Sequence, residues 1–251
     1  CLHAEETCAV VMQHEAFSEA VALFHRVGLC DPLDDPAELH AAWLRADLTS
    51  LVAATTTVAG VSAFDKWCGT DEETQGQESF VAVVQRGVLD LAGGKEDVTA
   101  GTSGCRAAAI ARCCAAVTVW RRWLHQGIGV DCVDSLMGMV AGFLARVAVS
   151  ASDDDEQEGG PPWSAVASLV EFLADLAAHG EGPTLGRTLK LSTVAGAASA
   201  AAAGYYFGDW GGRLLKRLST SDGPGARWAL AAVLRLVSTL AAAEVHKAQD
   251  T

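Results

Sequence analysis

Apolar residues recur at steps of three and four along almost the whole chain of 251 residues. This spacing gathers them on one face of an α-helix. No stretch alternates apolar and polar residues for long, so the pattern does not predict a sheet. The predicted faces are Val10/Phe17/Val21/Phe24, Leu44/Leu48/Leu51/Ala54/Val58, Phe80/Val84/Val88/Leu91, Ile110/Cys113/Val117/Trp120/Leu124, Val133/Leu136/Val140/Phe143/Val147, Val166/Leu169/Leu173/Leu176 and Leu230/Val233/Leu236/Leu240.

Segments rich in Gly, Pro and acidic residues separate these helices. They are Asp31–Pro36, Gly69–Gly76, Gly93–Gly104, the acidic loop Ser152–Pro162 and Ser219–Gly225. None is long enough to require two domains. We therefore expect one all-α domain over residues 1–251, with about eight helices in two layers.

The net charge of −13 disfavours some partners. An acidic surface repels the phosphate backbone, so we expect no nucleic acid partner. Charge alone would not hold the chain on an anionic membrane either.

The chain contains eight Cys but no C-x-x-C pair. In a chain of this length they indicate free thiols in a reducing, cytoplasmic compartment. Four disulfides in a secreted protein are the alternative, but the adjacent pair Cys113 and Cys114 and the lack of Cys after Cys132 disfavour it. The sequence also opens without the pattern of a signal peptide.

An uncharged stretch begins at Leu191 and ends at Gly208, rich in Ala, Gly and Ser. It is barely long enough to span a membrane, and small residues contribute little transfer free energy. Small residues do allow helices to approach closely. A buried core helix is therefore favoured over a membrane span.

No nucleotide-binding, serine hydrolase or zinc protease motif is present, and no two His are four residues apart. We therefore expect no enzymatic activity, no cofactor and no metal site. In Arg112–Gly127, Trp120 and Trp123 flank Arg121 and Arg122, a pattern that can bind lipid headgroups. The simpler interpretation places both Trp in the core and both Arg in solvent.

Four segments, in order, resemble the glycolipid transfer protein family. They are FSEAVALFHRVGL with LRADLTSLV, WLHQGIGVDCVDSLMGMV, FLADLAAHGEGPTLGR and AAAAGYYFGDWGGRLLKRL. The resemblance runs from Phe17 to about Lys247 and has no diagnostic motif. Proteins of this family are two-layered helical domains that carry a sphingolipid between membranes without catalysis.

The resemblance implies three headgroup residues, Asp47, Trp123 and His179. The apolar pocket expected with them is lined by Leu48, Leu51, Val140, Phe143, Phe172 and Leu176. Trp163 and Trp210 adjoin loops and are expected to touch the membrane transiently, with little dependence on anionic lipid. Each headgroup residue also has a simpler interpretation. Asp47 could be an exposed acid on a helix, Trp123 a ring in the core, and His179 a residue near a helix C-terminus, where the helix dipole favours its charged form.

The chain departs from the family at several headgroup positions. Leu51 and Ala54 stand where glycolipid-binding members have Asn and Lys, and Val119 stands where phosphate-reading members have Arg. Without the Lys and Arg of those family members, the remaining residues Asp47, Trp123 and His179 favour a sugar headgroup or weak headgroup selectivity. We expect a non-enzymatic protein for sphingolipid or glycolipid binding or transfer between membranes. The alternative is a helical protein-interaction scaffold that has lost lipid binding.

Overall fold

A computed structural model describes residues 10–28, 37–68, 76–92, 103–124, 133–149, 162–179 and 207–249 of the chain. These residues are helical almost throughout and contain no strand, which confirms the all-α prediction. The principal helices are α1 (Glu15–Gly28), α2 (Ala37–Cys68), α3 (Gly76–Ala92), α4 (Ser103–Leu124), α5 (Val133–Val149), α6 (Trp163–His179), α7 (Phe207–Thr220) and α8 (Pro224–Gln249). Residues 10–13 add a short helical segment before α1.

The chain divides into two compact units. The first unit, Cys1–Val130, contains α1 to α4, and the second unit, Asp131–Thr251, contains α5 to α8. The two-layer arrangement and the single domain over residues 1–251 stay predictions. The acidic loop lies outside the described residues except for Pro162, and so do residues 191–206 of the small-residue stretch.

In the first unit, α4 is the central helix and packs mainly against α2 and α3. Its buried residues Cys113, Val117 and Trp120 are spaced as the sequence pattern predicts. Those of α1 are also as predicted from Phe17 to Phe24, whereas Val10 is exposed.

Helix α2 buries only part of the face predicted: Leu48 is buried and Leu51 is half-buried. Leu44 and Ala54 of the predicted face are exposed, and the residues that pack inward include Ala46, Thr49 and Val52. Small side chains let the α2 backbone approach its neighbours closely. The hydroxyl of Thr49 donates a hydrogen bond to the Arg45 carbonyl at 2.7 Å, so burying it leaves no unsatisfied polar group.

In the second unit, α6 and α8 form the most extensive interface and run parallel. The indole Nε1 of Trp228 donates to Glu171 Oε1 at 2.7 Å, and Arg235 Nη2 donates to Asp175 Oδ1 at 2.7 Å. Asp175 follows Glu171 along α6, and its partner Arg235 follows Trp228 along α8. The two helices therefore point in the same direction. The buried faces of α5, α6 and α8 contain the predicted residues Phe143, Val147, Val166, Leu169, Leu173, Val233, Leu236 and Leu240.

A three-residue link, Ser221–Gly223, joins α7 to α8. Gly223 has φ of +130°, a conformation that side-chain-bearing residues rarely adopt, and Pro224 then opens α8. Arg217 of α7 donates from Nη1 to the Val147 carbonyl in the last turn of α5. This contact satisfies a carbonyl that has no partner further along its own helix.

Candidate functional site

The structure places the three predicted headgroup residues in different helices. Asp47 is exposed on α2, Trp123 lies in the last turn of α4, and His179 is the last residue of α6. The side chains of Trp123 and His179 lie outside the described residues. Asp47 and Trp123 belong to the first unit and His179 to the second, and their convergence on one headgroup stays a prediction.

Asp47 has exposed neighbours along its helix. Trp43 lies one turn before it and Ser50 nearly one turn after it, and both are exposed. Asp47 lies on the exposed side of α2, because the residues that this helix turns inward include Ala46, Thr49 and Val52. A carboxylate in this position is free of a desolvation cost and is accessible to a hydroxyl or amide donor from solvent.

The predicted pocket residues belong to the interiors of the two units. Leu48 is buried in the first unit, and Val140, Phe143 and Phe172 are buried in the second. Leu51 and Leu176 are half-buried in the first and second unit, respectively. Lipid chains need apolar side chains of this kind, but the same burial is typical of a packed core.

The described part of the first unit contains an ion-pair cluster that the sequence pattern did not reveal. Asp90 accepts a hydrogen bond from Arg86 Nε at 2.7 Å and another from Nη1 of the buried Arg112. Burial lowers the pKa of Arg112, and Asp90 opposes this shift. Arg45 of α2 and Arg86 of α3 lower that pKa further, so positive charges on two neighbouring helices act on the Arg112 guanidinium.

Gly87 makes room for this cluster between α3 and α4. A Cβ atom at Gly87 would lie 3.0 Å from the Ala116 Cβ and 3.4 Å from the Arg112 Cγ. The glycine therefore lets the aliphatic part of the Arg112 side chain lie directly on the α3 backbone. The cue in the sequence is a Gly inside an apolar helix, which often marks close packing.

The thiols Cys105, Cys113 and Cys114 lie on α4, and Cys113 and Cys114 directly follow Arg112 of this cluster in the chain. Burial raises the pKa of the Cys113 thiol well above its ordinary value, and Cys114 and Asp90 act in the same direction. A thiol held neutral is a poor nucleophile. Within the described ranges, no three His, Cys, Asp or Glu side chains are grouped so that they could hold a metal ion.

The two Trp residues predicted to touch the membrane have different environments. Trp210 is only 1% exposed, so its predicted role in membrane contact is wrong for this conformation. The amphipathic helix α7 turns Trp210, Leu214 and Leu218 to one buried face. Trp163 is half-buried, and the Arg217 guanidinium lies 5.7 Å from the centre of its ring.

Two other Trp residues are exposed, Trp43 on α2 and Trp228 on α8. Sequence reasoning did not select them, because it chose Trp residues by their closeness to loops. Trp228 adjoins the buried positions Ala229 and Val233 of α8 without sharing their face. Near α4's end, Trp120 is buried and Arg122 is exposed, as the simpler interpretation of that segment predicts.

One helix among the described residues has the length and apolar composition to cross a membrane, at Pro224–Ala242 within α8. The core helix of a soluble protein has the same properties, so this is weak evidence for a span. α8 packs mainly against α6 and to a lesser extent against α7.

Comparison of the chain with protein-family models, curated proteins and solved structures gives no match. The resemblance to the glycolipid transfer protein family therefore rests on the sequence segments quoted above.

Proposed function

We propose that this chain is a non-enzymatic lipid-binding domain that carries a sphingolipid or glycolipid between membranes. The observation behind the proposal is the ordered resemblance of four segments to the glycolipid transfer protein family. The all-α structure agrees with the fold that this resemblance implies, although many all-α proteins have other functions.

In this proposal, Asp47 accepts a hydrogen bond from a headgroup hydroxyl or from the lipid amide. Its exposure on α2 makes the carboxylate available for that bond. Trp123 would provide a flat ring for a sugar, and His179 a further polar contact. The predicted pocket residues, among them Phe143 and Phe172, would surround the hydrocarbon chains.

A helical protein-interaction scaffold is the second candidate function. The observation that favours it is the burial of four predicted pocket residues within the interiors of the two units. A scaffold needs a stable helical surface and no cavity for a ligand.

Native mass spectrometry of the purified chain distinguishes these functions. A carrier is expected to retain lipid or to take it up from sphingolipid vesicles, whereas a scaffold gives the mass of the chain alone after both treatments. Replacing Asp47 by Asn should weaken uptake about tenfold or more, because a hydrogen bond to a charged group contributes roughly 1.5–3 kcal/mol.

Glu19 provides a matched control for this substitution. It is another exposed acid of the first unit, and Glu19→Gln removes the same charge without touching the predicted site. His179→Ala should weaken uptake less than Asp47→Asn does. Trp123→Ala should also weaken uptake, with circular dichroism checking that the fold survives. Unchanged uptake by the Asp47 and His179 variants would remove both residues from the site.

A further inference from the structure

One side of α2 exposes an aromatic ring among polar groups. Trp43 is 40% exposed, and His40, Asp47 and Ser50 are exposed as well. With 3.6 residues per turn, these four positions lie within about 80° around the helix and extend over about 15 Å of its length. The four residues His40, Trp43, Asp47 and Ser50 form what we call the α2 strip.

The indole of Trp43 is suited to contact with a sugar ring. The face of an aromatic ring is negative. A pyranose turns several C–H bonds, whose hydrogens are slightly positive, to one side of its ring, and that side can lie against an indole. Trp43 is already exposed, so a sugar reaches it without any rearrangement of α2.

The polar members of the α2 strip can bind the hydroxyl groups of such a sugar. Trp43 and Asp47 are four residues apart, which makes their side chains neighbours on the helix surface. The Asp47 carboxylate can accept hydrogen bonds, and sugar hydroxyls donate them. The Ser50 hydroxyl donates to the Ala46 carbonyl at 2.8 Å, so its oxygen still has lone pairs that accept.

The α2 strip contains no Lys or Arg, which favours an uncharged ligand over a phosphate. Arg45 is the only Lys or Arg from Ala37 to Phe64. It lies about 160° around the helix from Asp47. Its charge acts on the buried Arg112, so Arg45 belongs to the side of α2 that packs against α4. A phosphate on the strip would meet the Asp47 carboxylate without a cation from α2, whereas an uncharged sugar is not repelled.

We propose that the α2 strip binds the uncharged sugar headgroup of a glycolipid, and that the sugar stacks on Trp43. This inference rests on the proposed function and deepens it, because it names the headgroup class. It also adds Trp43, which the family resemblance does not imply, to the residues that select the headgroup. Asp47 then has an aromatic partner on its own helix, and sugar binding by the strip does not require Trp123 and His179 to converge on it.

Uptake of three lipids by the full chain tests this proposal. Phosphatidylcholine vesicles contain galactosylceramide, ceramide or ceramide 1-phosphate, and native mass spectrometry measures the lipid-bound chain. The parent should take up galactosylceramide about fivefold more than either of the other two. Trp43→Ala should reduce galactosylceramide uptake roughly fivefold and leave ceramide uptake unchanged. Trp43→Phe keeps an aromatic ring and should retain most of the uptake.

Trp228→Ala is the matched control. Trp228 is also 40% exposed but lies on α8 in the second unit, so its removal should leave the uptake of all three lipids unchanged. Circular dichroism checks that every variant is folded. The proposal is overturned if Trp43→Ala takes up galactosylceramide like the parent, if Trp228→Ala loses as much uptake, or if the parent takes up the three lipids equally. In each of these cases, uptake by the parent still supports lipid transfer.

A soluble sugar separates the failure of this proposal from the failure of the proposed function. Methyl β-galactoside is added to the full chain while NMR follows the indole N–H signal of Trp43, which is assigned by its loss in Trp43→Ala. A shift of that signal without uptake of any lipid supports sugar binding by the α2 strip and overturns lipid transfer. If neither a shift nor lipid uptake occurs, both proposals are overturned.

Discussion

Arg112 on α4 and Asp90 on α3 form an ion pair although 22 residues separate them in the chain. Arg112 is buried, whereas the Asp90 side chain is 24% exposed and also accepts from Arg86. The Asp90 carboxylate thus compensates a guanidinium that has been removed from water. This pair, more than the exposed ones, should influence the stability of the first unit.

Asp90→Asn should therefore lower the free energy of unfolding by roughly 2–4 kcal/mol, because it leaves the buried charge of Arg112 uncompensated. Asp175→Asn is the matched control, since its partner Arg235 is 50% exposed in the second unit. That variant should cost no more than about 1 kcal/mol. Urea unfolding measures both, and equal losses would show that burial of Arg112 does not determine the effect.

Gly87→Ala and Gly212→Ala should change stability in opposite directions. Ala favours a helix over Gly by about 1 kcal/mol. A Cβ at Gly87 meets the Ala116 Cβ at 3.0 Å, however, and overpacking costs typically 1–3 kcal/mol. A Cβ at Gly212 meets nothing within 4 Å. We expect Gly212→Ala to raise the melting temperature and Gly87→Ala to lower it; a rise in both would contradict the close packing of α3 on α4.

Cys113 should make the free energy of unfolding depend on pH in the alkaline range. Burial raises the pKa of this thiol, so the folded state keeps its proton after the unfolded thiol has lost its own, at about pH 8.5. The unfolded state then binds fewer protons, and the free energy of unfolding falls by up to about 1.4 kcal/mol per pH unit above that point. Below it, the thiol contributes no pH dependence.

Cys113→Ala should lack this contribution. The difference between the parent and the variant, measured by urea unfolding from pH 7 to pH 10, isolates it from the titration of other groups. A difference that stays constant over this range would show that the Cys113 thiol ionises normally in the folded chain.

Arg217→Leu should destabilise the second unit by roughly 1.5–3 kcal/mol. The substitution removes the donor to the Val147 carbonyl and the guanidinium above the Trp163 ring. Arg213→Leu, an exposed change on the same helix, should stay within about 0.5 kcal/mol of the parent. If the two variants unfold at the same urea concentration, Arg217 does not connect α7 to its neighbours as described.

The sequence pattern predicted the buried faces well where large aliphatic residues mark them, as Leu169 and Leu173 do on α6. It was only partly right on α2, where Ala46 and Thr49 face inward and Leu44 faces out. A prediction from periodicity gives most weight to large apolar side chains. Where two helices pack closely, however, small side chains can occupy the buried face. A Thr that satisfies its hydroxyl within its own helix can then be buried at little cost.

The contacts between helices could not be predicted in the same way. Periodicity states which face of a helix is buried, but it does not state which helix covers that face. The pairing of Asp90 with Arg112 and of Glu171 with Trp228 depends on that choice. Trp210 was predicted to be exposed because it lies near a loop. Its spacing from Leu214 and Leu218 is that of a buried helix face, and this spacing was the better guide to its burial.

Helix α6 is synthesised well before α8, the helix with which it pairs. Glu171 and Trp228 are 57 residues apart, and Asp175 and Arg235 are 60 residues apart. A ribosome adds about 5–20 residues per second, so α6 is made roughly 3–12 seconds before its main partner. Throughout that interval α6 lacks the helix with which it forms its most extensive interface, and the nascent chain exposes the apolar surface of α6 to chaperones and to other nascent chains.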